Sequence, residues 1–449
     1  MSKAIKVKKG ADINLVGEAK LQVSPAKKST VFALKPEDFF GMIPKLTVKA
    51  GDEVKAGSPL FFDKKREDIL FTSPVSREVV VVKRGQMRKI LEVKVLADSE
   101  TKYEDFGAWD GGDREQLIQK MLKMGLWPFV KQRPYGIIAN PKDEPKAIFI
   151  SGFDSAPLAA NTSFILKEEK AHLKKGIAAI KKLTKGKVFL GVRHGDDFYG
   201  DIEGVEKNTF QGPHPAGNVG VQIHHVQPIN KGEVVWTINP ADIAIIGRSL
   251  SEGKFRAERT IALAGAEVKS PQYYTTMIGA SIESLVEGQL TENKSRIISG
   301  NVLTGSKVNS DGHLGFYDTT ISVIPEGDEK QFFITEGWLS PGLKKFSMSR
   351  AYPSWLLQNK KYNLDTNLNG EKRAFVVTGE MEKVFPFDIY PMQLVKSIMV
   401  NDIEAMEKLG IYEVLPEDFA LCEVVCTSKI NIQSVVEQGL ADLRKEFAS

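Results

Sequence analysis

The stretch from Lys146 to Val192 constrains the fold more than any other. "KAIFISGFD" carries Ile148, Phe149 and Ile150 in one continuous apolar run, the pattern of a buried strand. "AHLKKGIAAIKKLTKGK" follows, with Leu173, Ile177, Ile180 and Thr184 on one helical stripe and its lysines mostly elsewhere, on a solvated face. "KVFLGV" is a second buried strand. Strand, helix, strand in this order predicts a parallel α/β domain with right-handed crossovers. The amphipathic helix "REQLIQKMLKMGLW" precedes it.

From Thr47 to Val95, short apolar runs are cut by turns. "VKAGDEVKAGSPLFF" has turns at Gly51-Asp52 and Ala56-Gly57 flanking Val54, and "ILFTSPVSREVVVVKRG" and "ILEVKVL" come next. These predict a small all-β unit. The polar stretch "DFGAWDGGDREQ" marks a linker. Beyond Ala257 the texture changes. "RTIALAG", "YYTTMIGASIESLVEG" and "SRIISGN" read as strand, short helix and strand in a small α+β unit. The tail carries helix signals, clearest in "NDIEAMEKLG" and "PEDFALCEVVC". The expected units are 1–98, 99–256, 257–329 and 330–449.

Composition excludes several classes. Of 449 residues, 42% are hydrophobic and 26% charged, the balance of a globular protein able to bury sizeable cores. A net charge of +4 is small for this length, and no nucleic-acid signature accompanies it. The two cysteines, Cys422 and Cys426, exclude a disulfide framework. "MSKAIKVKKGADINLVG" lacks a signal-peptide core, and no apolar run approaches the roughly 20 residues of a bilayer-spanning helix. The expectation is a reduced, cytoplasmic chain able to dock onto membrane proteins.

The β unit resembles a biotinyl/lipoyl carrier fold, on the residues "VKAGDEVKAGSPL" and "SPVSREV". Carriers of that fold are acylated on a lysine at an exposed hairpin tip. Counting seven on from Leu60 or eight back from Pro74 places Glu67 or Arg66 there, with Lys64 and Lys65 out of register. The expectation is a docking module without a covalent cofactor.

Across nearly its whole length, from "KKGADINLVG" to "ALCEVVCTSK", the chain resembles the A-subunit family of bacterial sodium-translocating NADH:quinone oxidoreductases. "ISGFDSAPLAANTSFIL", "GPHPAGNVG" and "ISGNVLTGSKV" carry the resemblance. It implies a biotinyl/lipoyl-like β-sandwich, a Rossmann-like α/β domain, a small β-grasp-like domain and a mainly helical C-terminal domain. It also implies a peripheral subunit on the cytoplasmic face of a six-subunit membrane complex that passes electrons from NADH to quinone and exports sodium ions. Partners would be the membrane and peripheral subunits of that complex, with quinone a candidate ligand. The complex uses NADH, flavins, iron–sulfur clusters and quinone.

That family is related to the flavoprotein subunit of respiratory complex I and to the cluster-bearing C subunit of a related electron-transport complex. Flavin-binding relatives carry a glycine-rich loop, because backbone N–H groups must approach a phosphate. The matching stretch here is "KMGLWPFVKQRPYG", where Gly125 is followed by Trp127, Pro128 and Phe129. Bulky side chains and a proline without an N–H spoil such a cradle. After the strand, "GFDSAPLAAN" keeps Asp154 of the acidic flavin turn. A cubane cluster usually takes four thiolates, against two here, so Cys422 and Cys426 read as buried small hydrophobes. The expectation is a chain with no cofactor of its own. A lone flavin enzyme would need the missing loop, and an acyl carrier the missing lysine.

Three of the six histidines lie in "GPHPAGNVGVQIHH". Read as a strand, "VGVQIHHVQPI" sends His224 and His225 to opposite faces. With His214 that leaves two converging ligands, and no carboxylate lies between Gln211 and Ile229. A metal site is therefore not expected. Pro213 and Pro215 stiffen the loop about His214, which reads as a rigid structural or docking corner, with contact to quinone or proton relay as the alternative. Trp127 and Phe129 read as core, with quinone contact again the alternative. His172 is expected at the surface, and His194 and His313 in loops.

Overall fold

A computed structural model describes residues 4–448 apart from 329–331, 333, 336, 338 and 358. The strand–helix–strand pattern becomes the centre of a seven-stranded mixed sheet. Its order is Ile5–Lys6, Glu206–Gln211, Lys187–Arg193, Ala147–Ser151, Val235–Thr237, Lys131–Arg133, Ile137–Ile138. The first five strands run parallel, and the last two add antiparallel.

Side-chain alternation along the central strands covers both faces. Phe149 and Phe189 stack at 4.8 Å on one face, against Ile223 of the helix Val219–Val226. Ile148, Ile150, Val188 and Leu190 point the other way, into the core with Ile177, Ile180, Ile243 and Ile246. Those last four come from the helices Lys170–Ile180 and Pro240–Glu252. The two helices touch backbone to backbone, because a Cβ on Gly176 would lie 2.2 Å from the Ile243 carbonyl oxygen and one on Gly247 2.0 Å from that of His172. Asn239 caps the second helix through the Ala241 N–H, Pro240 fits its first turn, and left-handed Gly253 ends it.

The β unit is a four-stranded sheet, Val31–Leu34, Ile90–Leu96, Arg77–Arg84 and Glu53–Val54, with a three-stranded sheet, Pro44–Leu46, Pro59–Asp63 and Arg66–Thr72. Phe32, Val54, Phe61, Phe71, Val79 and Val93 lie in its core. Lys64 and Lys65 occupy the turn between the last two strands, which corrects the register counted from Leu60. Irregular pairing at Pro59/Phe61 and Phe62/Asp63 shifts the tip from where an even count puts it. The tip is tied down. Buried Asp63 accepts from the Ile43 and Lys65 N–H groups and pairs with Arg66, whose guanidinium also donates to the Ile138 carbonyl.

The third unit is built on a six-stranded sheet in the order Ser306–Val308, Ser295–Ser299, Thr320–Pro325, Glu258–Ala264, Gln272–Met277, Lys20–Pro25. The N-terminal segment thus serves two sheets, with Ile5–Lys6 in the α/β unit and Lys20–Pro25 here. The C-terminal helices Pro391–Met399, Ile403–Lys408, Ala420–Val425 and Ile432–Ala448 enclose a core including Leu394, Met406, Phe419, Cys422, Val436 and Leu440. The tail before them is mostly irregular, not helical as expected. Between Pro325 and Met381 its only regular turn is the 3₁₀ segment Pro353–Leu356 among the described residues. Gly337, Pro341, Gly342 and Pro353 interrupt any helical run there. Among the described residues no helix is long and apolar enough to cross a membrane.

Candidate functional site at the carboxyl edge of the sheet

The chain order of the parallel strands reverses between Ala147–Ser151 and Val235–Thr237. Open α/β sheets bind ligands in the crevice beyond the strand ends at such a reversal. A cavity of about 540 Å³ lies there, bordered by Ser151, Asp154, Thr237 and the first residues of the helices beginning at Val219 and Pro240. Tyr317 of the third sheet unit, Phe40 of the β unit, and Leu415 and Leu440 of the C-terminal helices close it. All four units therefore contribute to its wall.

The polar groups of the wall are strongly coupled. The Lys131 ammonium sits 3.5 Å from the centroid of the Tyr317 ring, a cation–π contact, and the Tyr317 hydroxyl donates to the Pro128 carbonyl at 2.6 Å. Burial pulls the Lys131 pKa below the usual lysine range, against the attraction of Glu417 and Asp242. Asp242 pairs with Arg259 at 2.8 Å, yet burial raises its pKa to about 6. Asp154 accepts the Ala156 N–H at 2.8 Å, and burial lifts its pKa as well.

His214 lines the same cavity and is 3% exposed. The peptide joining it to Pro215 is cis. Its N–H donates to Asp12 at 2.9 Å, and its carbonyl accepts from Ala11 at 2.8 Å, so the loop clasps the N-terminal segment. Ser155 Oγ accepts the Gly217 N–H at 2.8 Å and stands 3.0 Å from His214 Nδ1. Which of the two atoms donates follows the ring tautomer, since the hydroxyl oxygen can accept a second hydrogen bond or donate its own proton. Burial lowers the His214 pKa to about 4, so the ring is neutral at pH 7.

Phe129 borders the cavity and stacks on Phe316 at 4.9 Å. Trp127 does not reach it. Its indole N–H donates to the Ala139 carbonyl at 2.8 Å, and its ring packs edge-on against Trp236 at 5.5 Å. The structure thus brings His214 and Phe129 to one cavity and leaves Trp127 in the core behind. Lys131, Asp242 and Tyr317 were missed in the sequence, where Lys131 opens the polar run "KQR", Tyr317 precedes Asp318, and no local spacing links the three.

His224 and His225 are not on a strand. They lie in the last turn of the helix Val219–Val226, consecutive and so about 100° apart around its axis. His224 Nδ1 lies 2.8 Å from a Glu413 carboxylate oxygen, and its Nε2 accepts the Asp388 N–H at 3.1 Å. The carboxylate absent from the local sequence arrives from the C-terminal helices. His225 Nδ1 lies 2.8 Å from the Val221 carbonyl, the turn below. Among the described residues no three His, Cys, Asp or Glu side chains are placed to hold a metal ion. His172 is half-buried beside Glu169, His194 is an exposed turn residue, and His313 is a buried loop residue.

The glycines of "GNVG" have a packing cause. A Cβ on Gly220 would come within 2.4 Å of Arg133 Nη1 and 2.5 Å of an Asp418 oxygen, and one on Gly217 within 2.6 Å of the Ser155 nitrogen. Cys422 and Cys426 are buried free thiols, and burial drives the Cys422 pKa well up.

A sheet of this topology, with a ligand-sized cavity at its strand reversal and three further units closing over it, defines a class of multidomain α/β proteins built around one shared site. Comparison with known proteins is more specific. Residues 5–98 match the NqrA N-terminal barrel-sandwich hybrid domain, 112–255 the NqrA second alpha/beta domain and 260–310 the NQRA C-terminal (SLBB) domain. The chain is 38% identical over 450 residues to the A-subunit of the Na(+)-translocating NADH-quinone reductase of Hahella chejuensis, covering 98% of this chain and 100% of that one. It is 36% identical to the Rhodopirellula baltica protein of the same name, covering 98% of each, and 35% identical to that of Photorhabdus laumondii, covering 98% and 100%. The chain belongs to the NqrA family, the A-subunits of the Na⁺-translocating NADH-quinone reductases. It is one component of that multi-subunit complex, whose activity joins NADH–quinone oxidoreduction to sodium transport.

Proposed function

We propose that this subunit carries no redox cofactor of its own, and that it holds the complex together and shapes quinone access on the cytoplasmic side of the bacterial inner membrane. The observation that carries the reading is the cavity at the strand reversal. Its wall sets Phe129, Ile165, Ile238 and Leu440 among many polar and charged groups, including Lys131, Ser151 and His214. A quinone headgroup is a flat apolar ring with two carbonyl acceptors, and such a wall suits it. Lys131 is the donor for one carbonyl, and the His214 ring, in the tautomer with its proton on Nε2, for the other. Trp127 supports Phe129 from behind.

The place of a flavin-phosphate cradle is taken by packing. Gly125 abuts Thr72, and Trp127, Pro128 and Phe129 form a buried 3₁₀ turn. With neither cradle nor cluster thiolates, electrons pass between NADH and quinone through other subunits. The finer fold reading goes with this one. Residues 1–98 are an N-terminal segment with a biotinyl/lipoyl-like sandwich, 99–256 a Rossmann-like domain without its flavin loop, 257–329 a β-grasp-like domain and 330–449 the C-terminal domain.

Removing the subunit from the native complex tests the reading. Quinone reduction should fall far more than electron delivery to artificial acceptors that tap the flavin entry point. Equal loss of both activities would refute a role at quinone.

A further inference from the structure

The irregular segment 342–361, described apart from residue 358, is a loop with a built platform. Ser354 Oγ donates to the Ser347 carbonyl at 3.0 Å and accepts the Ser347 N–H at 3.0 Å, pinning its two limbs together. Phe346 and Met348 pack on the C-terminal core, and buried Tyr362 follows the loop, its N–H donating to the Asn14 carbonyl at 2.8 Å. Lys361 pairs with Glu18 at 2.8 Å.

From this rooted base the loop turns large apolar side chains to water. Leu343 is 58%, Trp355 47% and Leu356 63% exposed, with Leu357 beside them. The Arg350 guanidinium lies 5.4 Å from the Trp355 ring and steadies it. Charge is one-sided. The stretch 337–364 holds five lysines and arginines (Lys344, Lys345, Arg350, Lys360 and Lys361) and no aspartate or glutamate, in a chain where 57 of 449 residues are acidic; of the five, Lys361 is paired with Glu18 and Lys360 donates to the Leu343 carbonyl.

We infer that the loop 342–361 docks on an anionic lipid surface. An exposed indole and leucines interleaved with cations are the chemistry of a bilayer interface, where the rings and aliphatic chains enter the headgroup layer and the cations meet lipid phosphates. An acidic protein surface would satisfy the charge equally. Lysine, however, is depleted in protein–protein interfaces, and four of these five cations are lysine. Among the described residues no helix can cross a membrane, so the contact is one that lies on the surface. The contact is distinct from the cavity and does not depend on quinone binding there.

The test uses the purified full chain with vesicles of phosphatidylcholine alone and of phosphatidylcholine with an equal part of phosphatidylglycerol. The chain should sediment with the anionic vesicles at low salt, and much less with the neutral ones or at high salt. The Trp355→Ser/Leu356→Ser and Lys344→Gln/Arg350→Gln variants should each bind on the order of tenfold more weakly, with unchanged melting temperatures. No binding to anionic vesicles, or variants that bind like the parent, would overturn the inference. So would loss of co-purification with the other subunits in a variant whose parent ignores vesicles, which would assign the loop to an acidic protein partner.

Discussion

Arg133 at the end of its strand and Asp418, in the turn that leads into the helix Ala420–Val425, meet at 2.8 Å, with side chains 1% and 0% exposed. Arg133 also holds Glu417 at 2.6 Å. This cluster is the buried charge joining the α/β sheet to the helices that close the cavity. Burial, with the neighbouring Glu417 charge, raises the Asp418 pKa, and the guanidinium works against that rise. Removing one partner strands the other without solvent or counter-charge. Arg133→Ala should therefore cost about 3–5 kcal/mol, and Arg133→Met/Asp418→Leu should recover most of it. Denaturant unfolding of the three proteins checks this. Gly220→Ala should also destabilise, since its Cβ would enter the space of the same pair.

Acid should weaken the fold through His214. Its folded pKa, lowered to about 4 by burial, lies below the unfolded value near 6.5. The folded ring stays neutral while the unfolded one takes up a proton. The stability this holds is fully present above pH 6.5 and drains away as pH falls toward 4. Between pH 7 and pH 5 the linkage amounts to about 2 kcal/mol. Asp242, raised to about 6, works in the opposite sense over that range, because its folded carboxyl binds a proton more readily than its unfolded one. The comparison must therefore be with His214→Gln. Urea midpoints at the two pH values should fall further for the parent than for the variant. Equal falls would remove His214 from the account.

The cavity wall and the core behind it should separate in kinetics. In the assembled complex, Lys131→Gln should raise the KM for quinone, because the group lines the cavity. Trp127→Phe loses the hydrogen bond to Ala139 and edge packing on Trp236, and should lower stability by about 1–3 kcal/mol with the quinone KM unchanged. A quinone KM that responds to Trp127 and not to Lys131 would invert the assignment.

Intact-mass measurement on protein from its native cell should find the β unit unmodified. Lys64 and Lys65 do sit at the hairpin tip, but Asp63, Ile43 and Ile138 bind that tip to its neighbours. A mass increase matching lipoate or biotin on either lysine would contradict this.

The parts of the fold legible in the sequence were those whose burial repeats along a few consecutive residues. Ile148 to Ile150 and the stripe of Leu173, Ile177 and Ile180 show their partners by period alone. "VGVQIHHV" misled because its apolar residues Val219, Val221 and Ile223 alternate like a strand over a length too short to separate the two periods. Its helix is fixed instead from outside, by Phe149 and Phe189 below and Glu413 at its end. The strand Ile5–Lys6 pairs with Phe210 and Gln211, some two hundred residues away, and two residues carry no period. The candidate site was half legible for the same reason. The Pro–His–Pro corner is local, whereas Lys131 meets Tyr317 only once separate units close on each other.

An absorption spectrum of the anaerobically purified chain, with its iron content, tests the proposed absence of a redox centre most directly. A colourless protein without iron is expected, because the Trp127–Phe129 turn is packed and the two thiols are buried. A flavin band, or a broad iron–sulfur band with matching iron, would contradict it.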